Sequence, residues 1–140
     1  MLCYILTTGQ CNLKCGYCGG SFSQEVVPYE VKYDIDDLAR FLKGVRDLAI
    51  AFYGGEPLLN PSWIKAVMDN VDADHYVIQT NGLLMDKLED DYWRRMGTVL
   101  LSIDGDKTVT DHYRGDGVYD AVVNAASTLR SMKFRGDLVA

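Results

Sequence analysis

Three cysteines lie close together near the start of the chain, at Cys11, Cys15 and Cys18, in the spacing C-x3-C-x2-C. Thiolate sulfur binds zinc, copper(I) and the iron of iron–sulfur clusters, so the type of ligand alone does not identify the metal. A structural zinc site usually takes four ligands in two pairs, and no fourth cysteine or histidine follows closely. Three thiolates on a four-iron cluster would leave one iron open to bind another molecule.

The fourth cysteine, Cys3, lies eight residues upstream of Cys11 in an apolar segment. A small buried core residue is the ordinary role for a cysteine in such a segment. We therefore expect Cys3 not to bind the metal. The spacing of the other three favours an iron–sulfur cluster, and the alternatives are a zinc site or cysteines that are simply buried.

The bulk composition indicates a globular protein and argues against several classes of function. The 140 residues carry a net charge of −6 and the basic residues are scattered, which does not favour a nucleic-acid partner. No apolar run is long enough to span a membrane, and residues 1–8 lack the pattern of a secretory signal. We expect a cytoplasmic protein, in which clustered cysteines bind a metal rather than form disulfides.

Short apolar runs alternate with stretches of helical periodicity. The predicted helices are Asp34–Arg46 with Asp34 as its cap, Pro61–Val71 with Asn60 as its cap, Asp86–Met96, and one over Tyr119–Leu129. The predicted strands are Leu2–Leu6, Leu48–Tyr53, His75–Gln79, Thr98–Ile103 and the beginning of a fifth at Leu138–Ala140. This alternation predicts an α/β fold of parallel strands covered by helices.

Polar or glycine-rich segments follow three of the predicted strands, at Gly54–Pro57, Thr80–Gly82 and Asp104-Gly105. In parallel α/β folds the carboxyl ends of the strands form the active face. We therefore expect these segments to converge on one site, together with the cysteines after the first strand.

With these segments added, the sequence resembles the radical S-adenosylmethionine (radical SAM) enzymes, most closely the peptide-modifying and anaerobic sulfatase-maturating branch. The resemblance rests on Cys11–Cys18, Phe52–Leu59, Gln79–Gly82 and Ser102–Gly105, in this order and each at the end of a predicted strand. It implies a partial TIM-type (β/α) barrel with four β/α units and the start of a fifth strand. Residues 1–140 would then be the N-terminal portion of a radical SAM core domain, truncated before the end of the barrel.

The resemblance also implies two cofactors, a [4Fe-4S] cluster on Cys11, Cys15 and Cys18, and S-adenosylmethionine on its fourth iron. In such enzymes the reduced cluster cleaves S-adenosylmethionine, and the 5′-deoxyadenosyl radical that results abstracts hydrogen from the substrate. The implied contacts with S-adenosylmethionine come from nine residues: Tyr17, Gly54, Gly55, Glu56, Pro57, Asn81, Ser102, Asp104 and Arg114.

Some of these positions suggest particular parts of S-adenosylmethionine. Tyr17 would lie near the adenine and Glu56 near the methionine ammonium. Arg114 is a candidate for the carboxylate, which a guanidinium can bind through two hydrogen bonds, and its alternative is a solvated loop arginine. Short polar side chains suit the ribose hydroxyls or the carboxylate, and these are Asn81, Ser102 and Asp104.

The chain departs from that branch after the Ser102–Gly105 motif, where proline and later a His-Asp pair are usual. The residues at those positions are Asp106, Thr110 and Asp111. His112 lies two residues beyond the position where the histidine is usual. No family role is therefore assigned to a histidine, and we expect His75 to be structural. The cysteine-rich extension common in the branch is not in this sequence, which has no cysteine after Cys18.

The resulting hypothesis is a radical SAM enzyme that acts on a peptide or protein and receives electrons from a ferredoxin or flavodoxin. Modification of a small molecule or cofactor precursor is the second hypothesis. A non-catalytic zinc or iron–sulfur binding module is the third. Neither a membrane nor a nucleic acid is expected as a partner.

The assignment of the cysteines predicts different outcomes for two substitutions of the same kind. Cys15→Ala should abolish assembly of the cluster, whereas Cys3→Ala should leave it intact, because only Cys15 is expected to bind iron. Iron content and the visible absorbance after anaerobic reconstitution measure the outcome. Loss of iron in the Cys3→Ala protein would contradict the assignment of Cys3 to the core.

Overall fold

The computed structural model describes all 140 residues and contains one parallel sheet of five strands in the order β1-β2-β3-β4-β5. Each strand pairs with the next strand along the chain, as successive β–α units in a barrel do. This arrangement confirms the predicted fold class. The strands are β1 (Leu2–Thr8), β2 (Ala49–Gly54), β3 (His75–Thr80), β4 (Thr98–Leu101) and β5 (Asp137–Val139).

Five α-helices connect the strands, and two single turns of 3-10 helix follow β2 and β3 at Pro57–Leu59 and Met85–Lys87. None of these helices is long and apolar enough to cross a membrane. The helices are α1 (Ile35–Leu42), α2 (Pro61–Asn70), α3 (Asp90–Arg95), α4 (Lys107–Arg114) and α5 (Val118–Ser131).

The main core lies between the helices and one face of the sheet. Side chains alternate between the two faces of a strand, and Ile50 and Phe52 on β2 and Ile78 on β3 are fully buried. They belong to the same apolar cluster as Ile64 on α2 and Val122 on α5. On the other face, which is the inner face of a barrel, β1 exposes the side chains of Leu2, Tyr4 and Leu6.

The register of the sheet places the ends of the strands at one edge. Thr8 pairs with Gly54 at the end of β1 and β2, after an irregularity that follows Leu6. Thr80 pairs with Leu101 at the end of β3 and β4. The segments predicted to carry the site therefore leave the sheet side by side.

Two predicted helices are shorter in the structure. Asp34 caps α1 as expected, but the helix ends at Leu42 rather than Arg46, because the chain turns at Gly44 with φ of +79°. The helix predicted over Asp86–Met96 is divided into a 3-10 turn and α3. The division falls at Leu88, whose backbone is extended and whose side chain is buried in the core.

Helix α4 was not predicted from the sequence. Asp106 caps it by accepting a hydrogen bond from the backbone N–H of Val109 at 3.0 Å. Only Thr110 of this helix is buried. Apolar periodicity could not reveal a helix with so little apolar surface against the core.

Adjacent valines on α5 offer a matched test of the core. Val122 is 2% exposed and packs in the core, whereas Val123 is 46% exposed. Val122→Ala should lower the free energy of unfolding by about 2 kcal/mol, through lost burial and the cavity left behind. Val123→Ala should have little effect. Denaturant unfolding of both variants measures the difference, and equal losses would contradict the placement of α5.

Candidate functional site

A cleft opens at the strand edge, between the ends of the strands and the cysteine loop, which we define as residues 9–33. It encloses about 730 Å³ of space, part of which is open to solvent. The residues that line it are Cys11, Leu13, Cys15, Tyr17, Cys18, Gly20, Phe22, Tyr53, Gly54, Gly55, Glu56, Gln79, Thr80, Asn81, Ser102 and Arg114.

All three cysteines of the motif line this cleft as free thiols, with Cys15 buried, Cys11 half-buried and Cys18 exposed. Burial raises the pKa of both Cys11 and Cys15, whereas the positive charge of Arg114 acts to lower the pKa of Cys15. The neighbouring thiol of Cys18 raises both values further. The three sulfurs are thus near enough to influence one another and face a common space.

No group of three or more His, Cys, Asp or Glu side chains is arranged to hold a single metal ion. A four-iron cluster makes a different demand, since each thiolate binds a separate iron atom. The arrangement of the three cysteines around one open cleft meets that demand.

Cys3 lies on β1, where it pairs with Ile50 and packs against the edge of the core. It precedes Thr8, the last residue of the strand, by five positions. At about 3.3 Å per residue, this places Cys3 roughly 17 Å from the strand end where the cysteine loop begins.

Two glycines at the end of β2 let the backbone approach the start of the cysteine loop. A Cβ atom on Gly54 would lie 2.3 Å from the carbonyl oxygen of Thr8, and one on Gly55 would lie 2.1 Å from that of Gln10. The N–H of Gly55 donates to Thr8 O at 3.0 Å, and the N–H of Glu56 donates to Gln10 O at 2.7 Å. A larger residue at either glycine would push the loop away from the strand.

Glu56 is 1% exposed, and its carboxylate accepts three hydrogen bonds inside the protein. Leu58 N–H and the hydroxyl of Thr80 donate to Oε1 at 3.1 and 2.7 Å, and Asn81 N–H donates to Oε2 at 2.8 Å. Burial raises the pKa of Glu56, although these hydrogen bonds act in the opposite direction. The side chain expected beside a ligand ammonium lines the cleft and also joins the ends of β2 and β3.

The side chain of Asn81 also makes hydrogen bonds within the protein. Its side-chain Nδ2 donates to Oδ1 of Asn12 in the cysteine loop at 2.7 Å, and its Oδ1 accepts from the N–H of Leu83 at 3.1 Å. Asn12 lies inside the cysteine motif but is not among the predicted site residues. Asn81 therefore ties the cysteine loop to β3.

Arg114 and Asp104 form a two-point ion pair at the edge of the cleft. Arg114 Nε donates to Asp104 Oδ2 at 2.7 Å, and Nη2 donates to Oδ1 at 3.0 Å. The hydroxyl of Tyr17 donates to the same carboxylate at 3.1 Å. Asp104, Arg114 and Tyr17 are predicted to contact different parts of the ligand. In this structure they contact one another.

Pro57 and Asp104 are the two predicted contact residues that do not line the cleft. Pro57 is buried at the start of the first 3-10 turn, where its carbonyl accepts a hydrogen bond from the hydroxyl of Thr7 at 3.4 Å. Its position makes it part of the support beneath the site. In contrast, Ser102 and Gln79 line the cleft with polar side chains that make no hydrogen bond to the protein.

The family model for the Radical SAM superfamily matches residues 5–139. The chain belongs to this superfamily, and its cofactors are S-adenosylmethionine and a [4Fe-4S] cluster. The cleft fits both groups, because three thiols face it and the polar side chains of Gln79 and Ser102 line the same space.

Among sequence relatives, an uncharacterized protein of Archaeoglobus fulgidus is 32% identical over 127 residues, covering 87% of this chain and 30% of the relative. A probable GTP 3′,8-cyclase of the same organism is 33% identical over 128 residues, covering 86% and 41%. The radical SAM cyclopropyl synthase TigE of Paramaledivibacter caminithermalis is 24% identical over 159 aligned positions, covering 97% and 33%. The chain therefore spans less than half the length of these relatives.

Among solved structures, the anaerobic sulfatase maturase anSMEcpe with bound AdoMet has a TM-score of 0.73 and 25% identity. The match covers 98% of this chain and 42% of that one. The hydrogenase maturase HydG from Carboxydothermus hydrogenoformans has a TM-score of 0.63 at 16% identity, covering 98% and 35%, and shares the fold.

The hydrogen bonds of Glu56 predict that its amide analogue will not replace it. Glu56→Gln should destabilise the protein by about 2 kcal/mol, because the amide NH₂ would face a buried donor. Since burial raises the pKa of Glu56, wild-type stability falls as pH rises above the unfolded value of about 4.3. The stability of the Glu56→Gln protein should not show this decline, because glutamine does not titrate.

Denaturant unfolding between pH 4 and 7 measures both effects. Glu89→Gln is the matched control, because Glu89 is exposed and loses only a surface ion pair with Lys65. Equal stability of the Glu56→Gln protein and the wild type across this range would contradict the proposed support role of Glu56.

Proposed function

We propose that this chain supplies the cofactor-binding part of a radical SAM enzyme that abstracts hydrogen from a side chain of a peptide or protein. The observation that carries the proposal is the likeness to anSMEcpe with bound AdoMet and the Kp18Cys peptide. The TM-score is 0.74 at 25% identity, over 98% of this chain and 42% of that one. A neighbour of that similarity binds a peptide as well as S-adenosylmethionine.

In this proposal Cys11, Cys15 and Cys18 bind three irons of the cluster, and the fourth iron stays open for S-adenosylmethionine. The bound cofactors supply the electron and the 5′-deoxyadenosyl radical. The chain's own residues bind and orient them. The glycine backbone at Gly54 and Gly55 is the surface on which the methionine end of S-adenosylmethionine would lie.

Some of the other residues of the site are proposed to contact S-adenosylmethionine, and the rest hold the site together. Ser102 and Gln79 keep free hydrogen-bonding groups at the cleft, which suits the ribose hydroxyls or the carboxylate. Arg114 is the candidate for the carboxylate and Tyr17 for the adenine. Asp104 contacts both Arg114 and Tyr17, whereas Glu56, Pro57 and Asn81 support the strand ends and the cysteine loop.

A second function is favoured by a different observation. The probable GTP 3′,8-cyclase of Archaeoglobus fulgidus is 33% identical over 86% of this chain, a higher identity than anSMEcpe has. The same cofactor site could therefore serve the modification of a nucleotide or another small molecule. A ferredoxin or flavodoxin is the proposed electron donor in either case.

Label transfer separates the two functions. The natural full-length protein, reconstituted anaerobically with iron and sulfide and reduced in the presence of S-adenosylmethionine, should release 5′-deoxyadenosine. With peptides deuterated in their side chains, deuterium should appear in that product, whereas GTP deuterated at C3′ should transfer none. Transfer from GTP alone would establish the second function, and the absence of both iron and 5′-deoxyadenosine would overturn the proposal.

A further inference from the structure

Asp104 joins two residues that line the cleft, although it does not line the cleft itself. Arg114 comes from the end of α4 and Tyr17 from the cysteine loop, and both donate hydrogen bonds to the Asp104 carboxylate. Asp104 follows β4 by three positions. One carboxylate therefore connects three parts of the fold that are distant in sequence.

The ion pair is well placed to hold a fixed orientation. The side chains of Arg114 and Asp104 are only 12% and 22% exposed, so solvent screens the pair less than a surface pair. Two parallel N–H···O bonds restrain the guanidinium plane more than a single bond would. The guanidinium carbon also lies 5.7 Å from the centre of the Tyr17 ring, within the range of a cation–π interaction.

Helix α4 forms hydrogen bonds with the segment that carries Asp104 and with the segment that carries Tyr17. The buried hydroxyl of Thr110 accepts from the N–H of Asp104 and donates to the carbonyl of Gly105, both at 3.2 Å. The N–H of Gly16, beside Tyr17, donates to the carbonyl of Tyr113 at 2.9 Å. These contacts bring Asp104 and Tyr17 close to the helix that carries Arg114.

The pairing leaves part of the arginine available for a ligand. A guanidinium has five N–H groups, and Asp104 takes one from Nε and one from Nη2. The other three make no hydrogen bond to the protein, and Arg114 lines the cleft. An anion in the cleft could therefore be bound while the ion pair stays intact.

We propose that Asp104 is a positioning residue, which fixes Arg114 at the cleft and connects it to the cysteine loop through Tyr17. The inference rests on the proposed function, in which Arg114 binds the carboxylate of S-adenosylmethionine. Asp104 offsets much of the arginine's charge, so its contribution is the orientation of the guanidinium. Binding of S-adenosylmethionine and the position of the cysteine loop are then coupled through one carboxylate.

The dissociation constant for S-adenosylmethionine tests this role separately from turnover. In the reconstituted natural full-length protein, Asp104→Asn should weaken binding about tenfold with unchanged iron content, because the guanidinium loses its two-point restraint. Equilibrium dialysis with S-adenosylmethionine and the EPR spectrum of the reduced cluster upon its addition give two independent readouts. Asp104→Glu should not restore binding, since its carboxylate lies one methylene further out.

A double variant tests whether the pair acts as a unit. If Asp104 acts through Arg114, Asp104→Asn combined with Arg114→Gln should bind no more weakly than Arg114→Gln alone. Additive losses would overturn the inference, and so would wild-type affinity in Asp104→Glu, which would show that charge alone is enough. Should Asp104→Asn fail to fold, the same comparison is made with Asp104→Glu.

Asp106→Ala is the matched control, because Asp106 caps α4 and touches neither Arg114 nor Tyr17. It should lower thermal stability and leave the dissociation constant close to that of wild type. An equal loss of binding in Asp106→Ala would assign the effect to helix stability and overturn the inference. Failure of the wild-type protein to bind iron or S-adenosylmethionine would instead contradict the proposed function.

Discussion

The buried carboxylate of Glu56 is the interaction on which the rest of the site depends. A charged group removed from water is tolerated only when other donors replace the lost hydration, and Leu58, Thr80 and Asn81 supply them. Two of these donors lie at the end of β3, while Glu56 follows β2. The carboxylate therefore joins two strand ends at the point where the polar site begins and the apolar core stops.

The cysteine loop depends on that junction, since its contacts with the body of the protein begin there. The N–H of Glu56 binds the carbonyl of Gln10, and the side chain of Asn81 binds that of Asn12. A third contact, from Gly16 to Tyr113, reaches α4. A loop held at three places by β2, β3 and α4 keeps its cysteines facing one cleft without regular secondary structure of its own.

The sequence predicted the strands and the site's location because both depend on local patterns, namely apolar runs and the glycine or polar residues that follow them. It did not predict the hydrogen bonds that these polar residues make within the protein. Glu56 follows two glycines, a setting typical of a ligand-facing loop, and its burial arises from strand pairing with residues distant in sequence. Apolar runs do not predict helix α4, because Asp106 caps it and only Thr110 of the helix is buried.

Relatives with different reactions align with this chain over most of its length. Proteins named for GTP cyclisation, cyclopropyl synthesis and sulfatase maturation all align with it, although their reactions differ. What they share with this chain is the aligned region, which contains the cysteine loop and the ends of the strands. Within that region, the contacts of Glu56, Asn81 and Asp104 connect the cysteine loop to the strand ends and to α4. The side chains of Tyr4 and Leu6 on the inner face of β1 are exposed and take no part in these contacts.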